Sequence, residues 1–137
     1  MKAFYIDLSI CNGCYCCQIG CKDEHVANDW TPYAKPQPDT GQFWIGINEF
    51  VRGQVPKVKV TYIPRLCQSA CPHEAIFFNE DLVIAQKCTG CSHLIDNDPD
   101  WTVPRCVDQC PTEALQFGDE EDFQEFIAAA QLINPEA

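Results

Sequence analysis

The sequence predicts one α+β domain over residues 1–137, with its two ends held together by closely spaced cysteines. Three observations lead to this prediction. The chain has the length of a single domain. Short apolar or alternating stretches are separated by turn residues, which indicates short strands and helices. Most of the 11 cysteines fall into two runs near opposite ends of the chain.

The spacing of these cysteines predicts two [4Fe-4S] clusters. The first run has the spacing C-x2-C-x2-C-x3-C, which is a ferredoxin ligand run, and comprises Cys11, Cys14, Cys17 and Cys21. The second run ends in a Cys-Pro step and comprises Cys88, Cys91, Cys106 and Cys110. In two-cluster ferredoxins the fourth cysteine of each run binds the other run's cluster. This rule assigns cluster 1 to Cys11, Cys14, Cys17 and Cys110, and cluster 2 to Cys88, Cys91, Cys106 and Cys21. The predicted fold is therefore ferredoxin-like.

Two other uses of cysteine fit the pattern less well. Two C-x2-C pairs are compatible with a zinc ribbon, but zinc gives no reason for the longer run. Disulfide frameworks belong to secreted chains, and an odd cysteine count fits them poorly. The N-terminal residues lack an apolar signal-peptide segment, and no apolar run approaches the length of a membrane span. We therefore expect a cytoplasmic protein.

The net charge of the chain restricts the classes of partner that we expect. The net charge is −11, whereas nucleic-acid binding needs a basic face, so nucleic acid is not an expected partner. Such a chain is steered toward partners with a basic docking surface. Ligand loops contribute little apolar area, so we expect cluster binding to supply part of the folding free energy.

The elements follow in order. Residues 3–9 predict a first strand, and residues 17–27 a short helix. Residues 28–62 form a cysteine-free insertion in which strands at 42–51 and 57–62, joined by a turn at Arg52-Gly53-Gln54, predict a hairpin. This insertion either covers the cluster domain or docks on another chain, since its aromatic side chains must be buried somewhere.

The C-terminal half predicts a second hairpin, another strand and a helix. The hairpin covers residues 75–85, with its turn at Asn79-Glu80-Asp81 and Val83 among its apolar members. A strand at 114–117 and a helix at 119–132 follow. One apolar stripe of this helix packs on the domain's own core or on a partner. The stripe is formed by Phe123, Phe126, Ile127 and Ala130.

Three cysteines remain outside the two ligand sets. Cys67-x3-Cys71-Pro72 repeats the pattern of Cys106-x3-Cys110-Pro111 but lacks a preceding C-x2-C pair. Cys16 lies inside the first run. The three are interpreted as thiols that act as small apolar residues, with a three-iron cluster as the alternative.

Few other residues suggest chemistry. His25, His93 and His73 each follow a cysteine and could bond a sulfur, line a docking surface or simply lie near the surface. Lys22, Lys87 and Arg105 adjoin ligands and could tune a cluster through local charge. No nucleophile–base pair or catalytic carboxylate pair stands out, so no catalytic residue is predicted.

The motifs also resemble a known family. The N-terminal run, the Lys87-Cys-Thr-Gly-Cys91 block and the fourteen residues between Cys91 and Cys106 resemble the iron–sulfur subunits of molybdopterin oxidoreductases of the dimethyl sulfoxide reductase family. Further features resemble the small subunits of pyrogallol–phloroglucinol transhydroxylase and of related aromatic hydroxylases and catechol dehydroxylases. They are Cys21-x2-Glu24-His25, Trp30-x-Pro32-Tyr33, the Trp44 strand, Arg52-Gly53 and His93-Leu94-Ile95-Asp96.

The resemblance implies an electron-transfer subunit. Its partner would be a large molybdopterin-containing catalytic subunit, with molybdenum or tungsten, in a heterodimer or larger complex, and the substrate would be a phenolic aromatic compound. Members usually carry three or four clusters, but this chain keeps only Cys67 and Cys71 of the middle set, so two clusters are expected. The alternative is a free-standing ferredoxin-type electron carrier.

Overall fold

The computed structural model describes residues 2–39, 43–66 and 77–124. Their secondary structure is a mixture of short helices and strands, as the sequence predicts. The elements are β1 (Lys2–Ile6), α1 (Cys16–His25), β2 (Ile45–Gln54), β3 (Lys57–Leu66), β4 (Phe77–Asn79), β5 (Ile84–Gln86), α2 (Ser92–Ile95), α3 (Arg105–Asp108) and β6 (Leu115–Asp119). A 3₁₀ turn at Glu120–Phe123 follows β6.

The first and last strands pair with each other. β1 and β6 are antiparallel, with Phe4 opposite Phe117 and the two ring centroids 4.9 Å apart. β1 ends at Ile6, earlier than predicted, because the Asp7 carboxylate accepts hydrogen bonds from the backbone N–H and the hydroxyl of Ser9 and so forms a turn. This pairing brings the loop that enters the first cysteine run beside the strand that leaves the second.

Cysteines form much of the buried core. The buried cluster contains the aromatic and aliphatic side chains of Trp44, Ile45 and Leu115 together with Cys17, Cys21 and Cys106. Helix α1 packs against α3, which places Cys17 and Cys21 toward Cys106. A core built largely from thiols leaves little purely apolar packing, so metal binding and folding are expected to be coupled.

Strands β2 and β3 form a long two-stranded hairpin. They are antiparallel over ten residue pairs, from Ile45↔Leu66 to Gln54↔Lys57. The predicted turn at 52–54 is wrong, because the chain reverses at Val55 and Pro56. Pro56 lacks a backbone N–H and suits a turn better than a ladder. Gly53 stays in the strand at φ +93°, where the Lys57 carbonyl oxygen occupies the space that a Cβ would need.

The loop before this hairpin packs inward. Trp44 is 2% exposed and lies 4.1 Å, between ring centroids, from His25. Trp30 stacks on His93 at 4.5 Å and donates its indole N–H to the Glu24 carbonyl oxygen. These two tryptophans of the predicted insertion are therefore used inside the domain.

Other predicted elements are shorter than expected or lie partly outside the described residues. Helix α1 ends at His25, with Val26 already extended. Val83 lies in the turn between β4 and β5 at φ 56° and is 72% exposed, so its assignment to a strand is wrong. Phe123 is buried and stacks on Tyr5. At this position the predicted apolar stripe therefore packs on the domain's own core. The rest of the predicted C-terminal helix, and Cys67 and Cys71, lie outside the described residues.

Candidate metal centre

Four cysteines of the N-terminal run lie on a loop and the first turns of α1. Cys17 and Cys21 are four residues apart in the helix, so both sulfurs lie on one face, and both are buried. Cys11 is half-buried and Cys14 is exposed. Between them, Gly13 has φ +68°, and the Tyr62 ring of the hairpin occupies the space that a Cβ would need. The loop can follow this path only because residue 13 is glycine.

The cysteines of the C-terminal run flank the single-turn helices α2 and α3, except Cys106, which lies within α3. Cys91 precedes α2 in the left-handed conformation (φ 53°) and is buried, while Cys88 is half-buried. Cys106 is buried within α3, and Cys110 follows this helix. Pro104 directs the chain into α3 from extended backbone and is fully buried. Each turn thus presents a sulfur toward α1.

The electrostatic neighbours of Cys17 define one group of sulfurs. Burial, with smaller contributions from the nearby sulfurs of Cys110, Cys14 and Cys11, raises the pKa of Cys17 to about 11. Although partial burial opposes the effect, backbone N–H groups of Leu115, Thr112 and Ala114 and the Thr112 hydroxyl lower the pKa of Cys110. Hydrogen-bond donors aimed at sulfur stabilise a thiolate. This group brings together the four residues predicted for cluster 1.

The neighbours of Cys21 and Cys106 define a second group. Burial raises the pKa of Cys21, with further contributions from Cys88 and Cys91, while the backbone N–H groups of Ile45 and Trp44 oppose the rise. Burial likewise raises the pKa of Cys106, and its neighbouring sulfurs include those of Cys21, Cys91 and Cys88. Cys21 therefore lies among the C-terminal cysteines, although it belongs to the N-terminal run.

Both groups suit a thiolate-bound cluster. Within the described ranges, no three His, Cys, Asp or Glu side chains converge closely enough to hold a single metal ion. In a cubane each thiolate binds a different iron, so its four sulfurs surround the cluster and need not meet at one point. Both groups contain hydrogen-bond donors that point to sulfur. One of them is the backbone N–H of Gly90, whose nitrogen lies 3.4 Å from Cys88 Sγ. The remaining described cysteine, Cys16, is half-buried, and its pKa is raised chiefly by a hydrogen bond with Cys14.

A buried carboxylate connects the ligand-bearing helices. Glu24 accepts a hydrogen bond from His93 Nε2 at 2.9 Å and one from Arg105 Nε at 3.0 Å. Glu24 lies on α1, His93 on α2 and Arg105 beside Cys106 on α3. The three side chains therefore fix the relative positions of the helices that carry Cys21, Cys91 and Cys106. In the sequence Glu24 is recognisable only as part of a motif, although its position three residues after Cys21 places it near the same helix face.

His25 lies outside the two runs but close to a ligand sulfur. Its Nε2 lies 3.8 Å from Cys91 Sγ, and the residue is 1% exposed. Burial, followed by the neighbouring His93, lowers the pKa of His25 to about 4, so the ring is neutral near pH 7. Its Nδ1 is buried without a hydrogen-bond partner. We therefore assign the single proton to Nε2, from which it points to the sulfur.

The three cations predicted to tune the clusters differ in their surroundings. Arg105 pairs with Glu24 and lies over the Trp101 ring at 4.2 Å. Lys22 donates to the Pro38 carbonyl oxygen and lies 5.3 Å from the Phe43 ring centroid. Lys87 is exposed. Only Arg105 is part of the buried network around the ligand helices.

Comparison with known proteins supports a domain that carries 4Fe-4S clusters. Residues 53–120 match the family model of a 4Fe-4S dicluster domain. The chain is 28% identical to the pyrogallol hydroxytransferase small subunit of Pelobacter acidigallici, over 85% of this chain and 57% of that protein. It is 26% identical to the B subunit of the anaerobic dimethyl sulfoxide reductase of Escherichia coli K12, over 84% and 72% respectively. It is 28% identical to the B subunit of the polysulfide reductase of Wolinella succinogenes, over 85% and 75%.

The chain spans little more than half the length of the Pelobacter protein. Across the part of the chain that the structure describes, no helix is both long and apolar enough to cross a membrane.

Proposed function

We propose that this chain, a relative of the iron–sulfur subunits of molybdopterin oxidoreductases, is the electron-transfer subunit of such an enzyme and carries two [4Fe-4S] clusters. One observation carries the proposal: two distant cysteine runs fold into two sulfur groups, each of which combines residues from both runs. A mixed α/β, ferredoxin-like dicluster domain fits the matched family model. We also propose that residues 28–62 are an insertion into this single domain. The predicted helix at 119–132 begins later than expected, because Asp119 belongs to β6 and Glu120–Phe123 is a 3₁₀ turn, and we propose that a terminal helix follows this turn.

The proposed ligands follow the crossed pattern. Cluster 1 is held by Cys11, Cys14, Cys17 and Cys110, and cluster 2 by Cys88, Cys91, Cys106 and Cys21. The neighbours of Cys17 and Cys21 support this assignment. Residues 53–120 contain six cysteines, while two cubanes take eight thiolates. Ligands from the N-terminal run are therefore needed.

The protein surrounds its two centres differently. Bound clusters would supply one-electron transfer. Around cluster 1, Cys14 is exposed and Cys11 and Cys110 are half-buried. Around cluster 2, only Cys88 is more than slightly exposed. We call residues 11–17 the cluster 1 loop. This loop gives the shorter path to a redox partner, while the buried surroundings of cluster 2 exclude water.

The partner and substrate classes follow from the relatives. We propose a large molybdopterin-containing subunit, with molybdenum or tungsten, in a heterodimer or larger complex. A phenolic aromatic substrate is supported by the similarity to the pyrogallol hydroxytransferase small subunit. The matched relatives are named as components of larger enzymes, which favours this proposal over a free-standing ferredoxin. A cytoplasmic location stays a prediction from the sequence.

Anaerobic purification of the tagged chain from its source organism tests the proposal. We expect about eight irons and eight sulfides per chain, with a large second chain that contains molybdenum or tungsten in stoichiometric amount. A chain that purifies alone with both clusters would support the free carrier instead. A chain that binds zinc in place of iron would contradict both.

A further inference from the structure

The hairpin of β2 and β3 extends beyond the rest of the domain. From Glu49 to Gln54 on one strand and from Lys57 to Val60 on the other, every residue is exposed. Six strand residues span about 20 Å. An isolated two-stranded ribbon is only marginally stable in water. The outer half of this hairpin therefore lacks support among the described residues.

The register gives the outer hairpin two different faces. Directly opposed residues share a face, and successive pairs alternate between faces. The pairs Val51↔Val60 and Gly53↔Val58 place three valines on one face. The exposed fractions of Val51, Val58 and Val60 are 59%, 48% and 40%. We call these three residues the valine face.

The opposite face is cationic. It carries Phe50 and the pairs Arg52↔Lys59 and Gln54↔Lys57. The hairpin holds four of the chain's nine Lys and Arg residues but only one of its twenty acidic residues, Glu49. This is a local positive excess in a chain with net charge −11. A partner that carries acidic groups is attracted to such a ribbon before contact is made.

The valine face is continuous with the cluster 1 loop. The next pair toward the base is Glu49↔Tyr62, so Tyr62 lies on the same face as the valines. The Tyr62 ring lies against Gly13 and 6.4 Å, between centroids, from Tyr15. A partner surface that covers the valine face therefore also comes close to the exposed Cys14.

We propose that the valine face docks on the large molybdopterin-bearing subunit and so brings cluster 1 to that subunit's redox centre. This inference rests on the proposed function. Pairing of two hairpins from copies of this chain is opposed by their like charge. A hairpin bound to the acidic body of a second copy is a head-to-tail contact, which extends into open chains unless the rotation closes a ring. These arguments disfavour a second copy and favour a different chain, which the proposed function supplies as the large subunit.

The test compares two variants in the co-purified complex. The triple variant Val51→Thr, Val58→Thr and Val60→Thr keeps β-branched side chains but removes apolar surface. The control, Phe50→Thr, removes apolar surface from the opposite face of the same hairpin. The readouts are iron per chain, the solution mass of the chain alone, and the affinity for the molybdenum- or tungsten-bearing subunit purified from the wild-type complex.

The proposal predicts that both variants keep full iron, and that only the triple variant loses affinity, by at least about tenfold. Unchanged affinity in the triple variant would overturn the inference and leave the proposed function intact. A wild-type dimer that the triple variant dissociates would also overturn it, because a second copy would then cover the valines. Failure of the wild-type chain to bind any molybdenum- or tungsten-bearing subunit would refute the proposed function, and this inference with it.

Discussion

Removal of Cys21 is the sharpest test of the crossed arrangement. Cys21 belongs to the N-terminal run, yet its sulfur lies near those of Cys88 and Cys91. We expect Cys21→Ala to destroy the centre held by the C-terminal cysteines and to lower iron from about eight to about four atoms per chain. Cys21 is only 6% exposed, but the side chain lost is small, so the packing loss itself is on the order of 1 kcal/mol. Loss of iron would thus report ligation.

The assay combines iron analysis with electron paramagnetic resonance of the reduced protein under anaerobic conditions. Cys110→Ala should remove the signal of the other cluster, cluster 1, because Cys110 lies beside Cys17. Cys16→Ala is the matched control, since Cys16 lies in the same run outside the ligand set and should keep both signals. If Cys21→Ala and Cys11→Ala abolish the same signal, each run holds its own cluster and our argument from sulfur neighbours is wrong.

Three further predictions concern residues outside the two ligand sets. Cys67→Ala and Cys71→Ala should leave iron at about eight atoms per chain, whereas a reproducible twelve in the wild type would assign them a third cluster. His25→Leu should lower the midpoint potential of one cluster by tens of millivolts in a redox titration, because a thiolate loses a hydrogen-bond donor; an unchanged potential would exclude that bond. Glu24→Ala should lower the free energy of unfolding by about 1–3 kcal/mol, because His93 is left buried without its partner while the partly exposed Arg105 regains water. Asp23→Ala, an exposed neighbour on α1, should change that free energy little in the same denaturation experiment, and an equal loss in both variants would contradict a specific role for Glu24.

The cluster loops were predictable from the sequence because their spacing is a local property. A cubane needs several sulfurs on one short loop, so C-x2-C-x2-C leaves a recognisable pattern. The mixture of strands and short helices was also predictable from alternation and turn residues. The reversal of the hairpin was misplaced by sequence reasoning, because Gly53 gave a turn signal that Pro56 outweighed.

Contacts between segments that are distant in the sequence decided the remaining features of the fold and of the site. Glu24, His93 and Arg105 are separated by up to 81 residues, and only the meeting of three helices gives the carboxylate its two partners. Trp44 and Trp30 looked like candidates for a docking surface, but their contacts with His25 and His93 place them inside. The outer hairpin carries an exposed valine face because strand register, fixed by pairing over ten residues, assigns each side chain to a face. The amino-acid sequence by itself thus predicted which sulfur atoms bind metal. The tertiary structure decided which side chains surround the ligands and which surface remains for a partner, because both depend on contacts between distant segments.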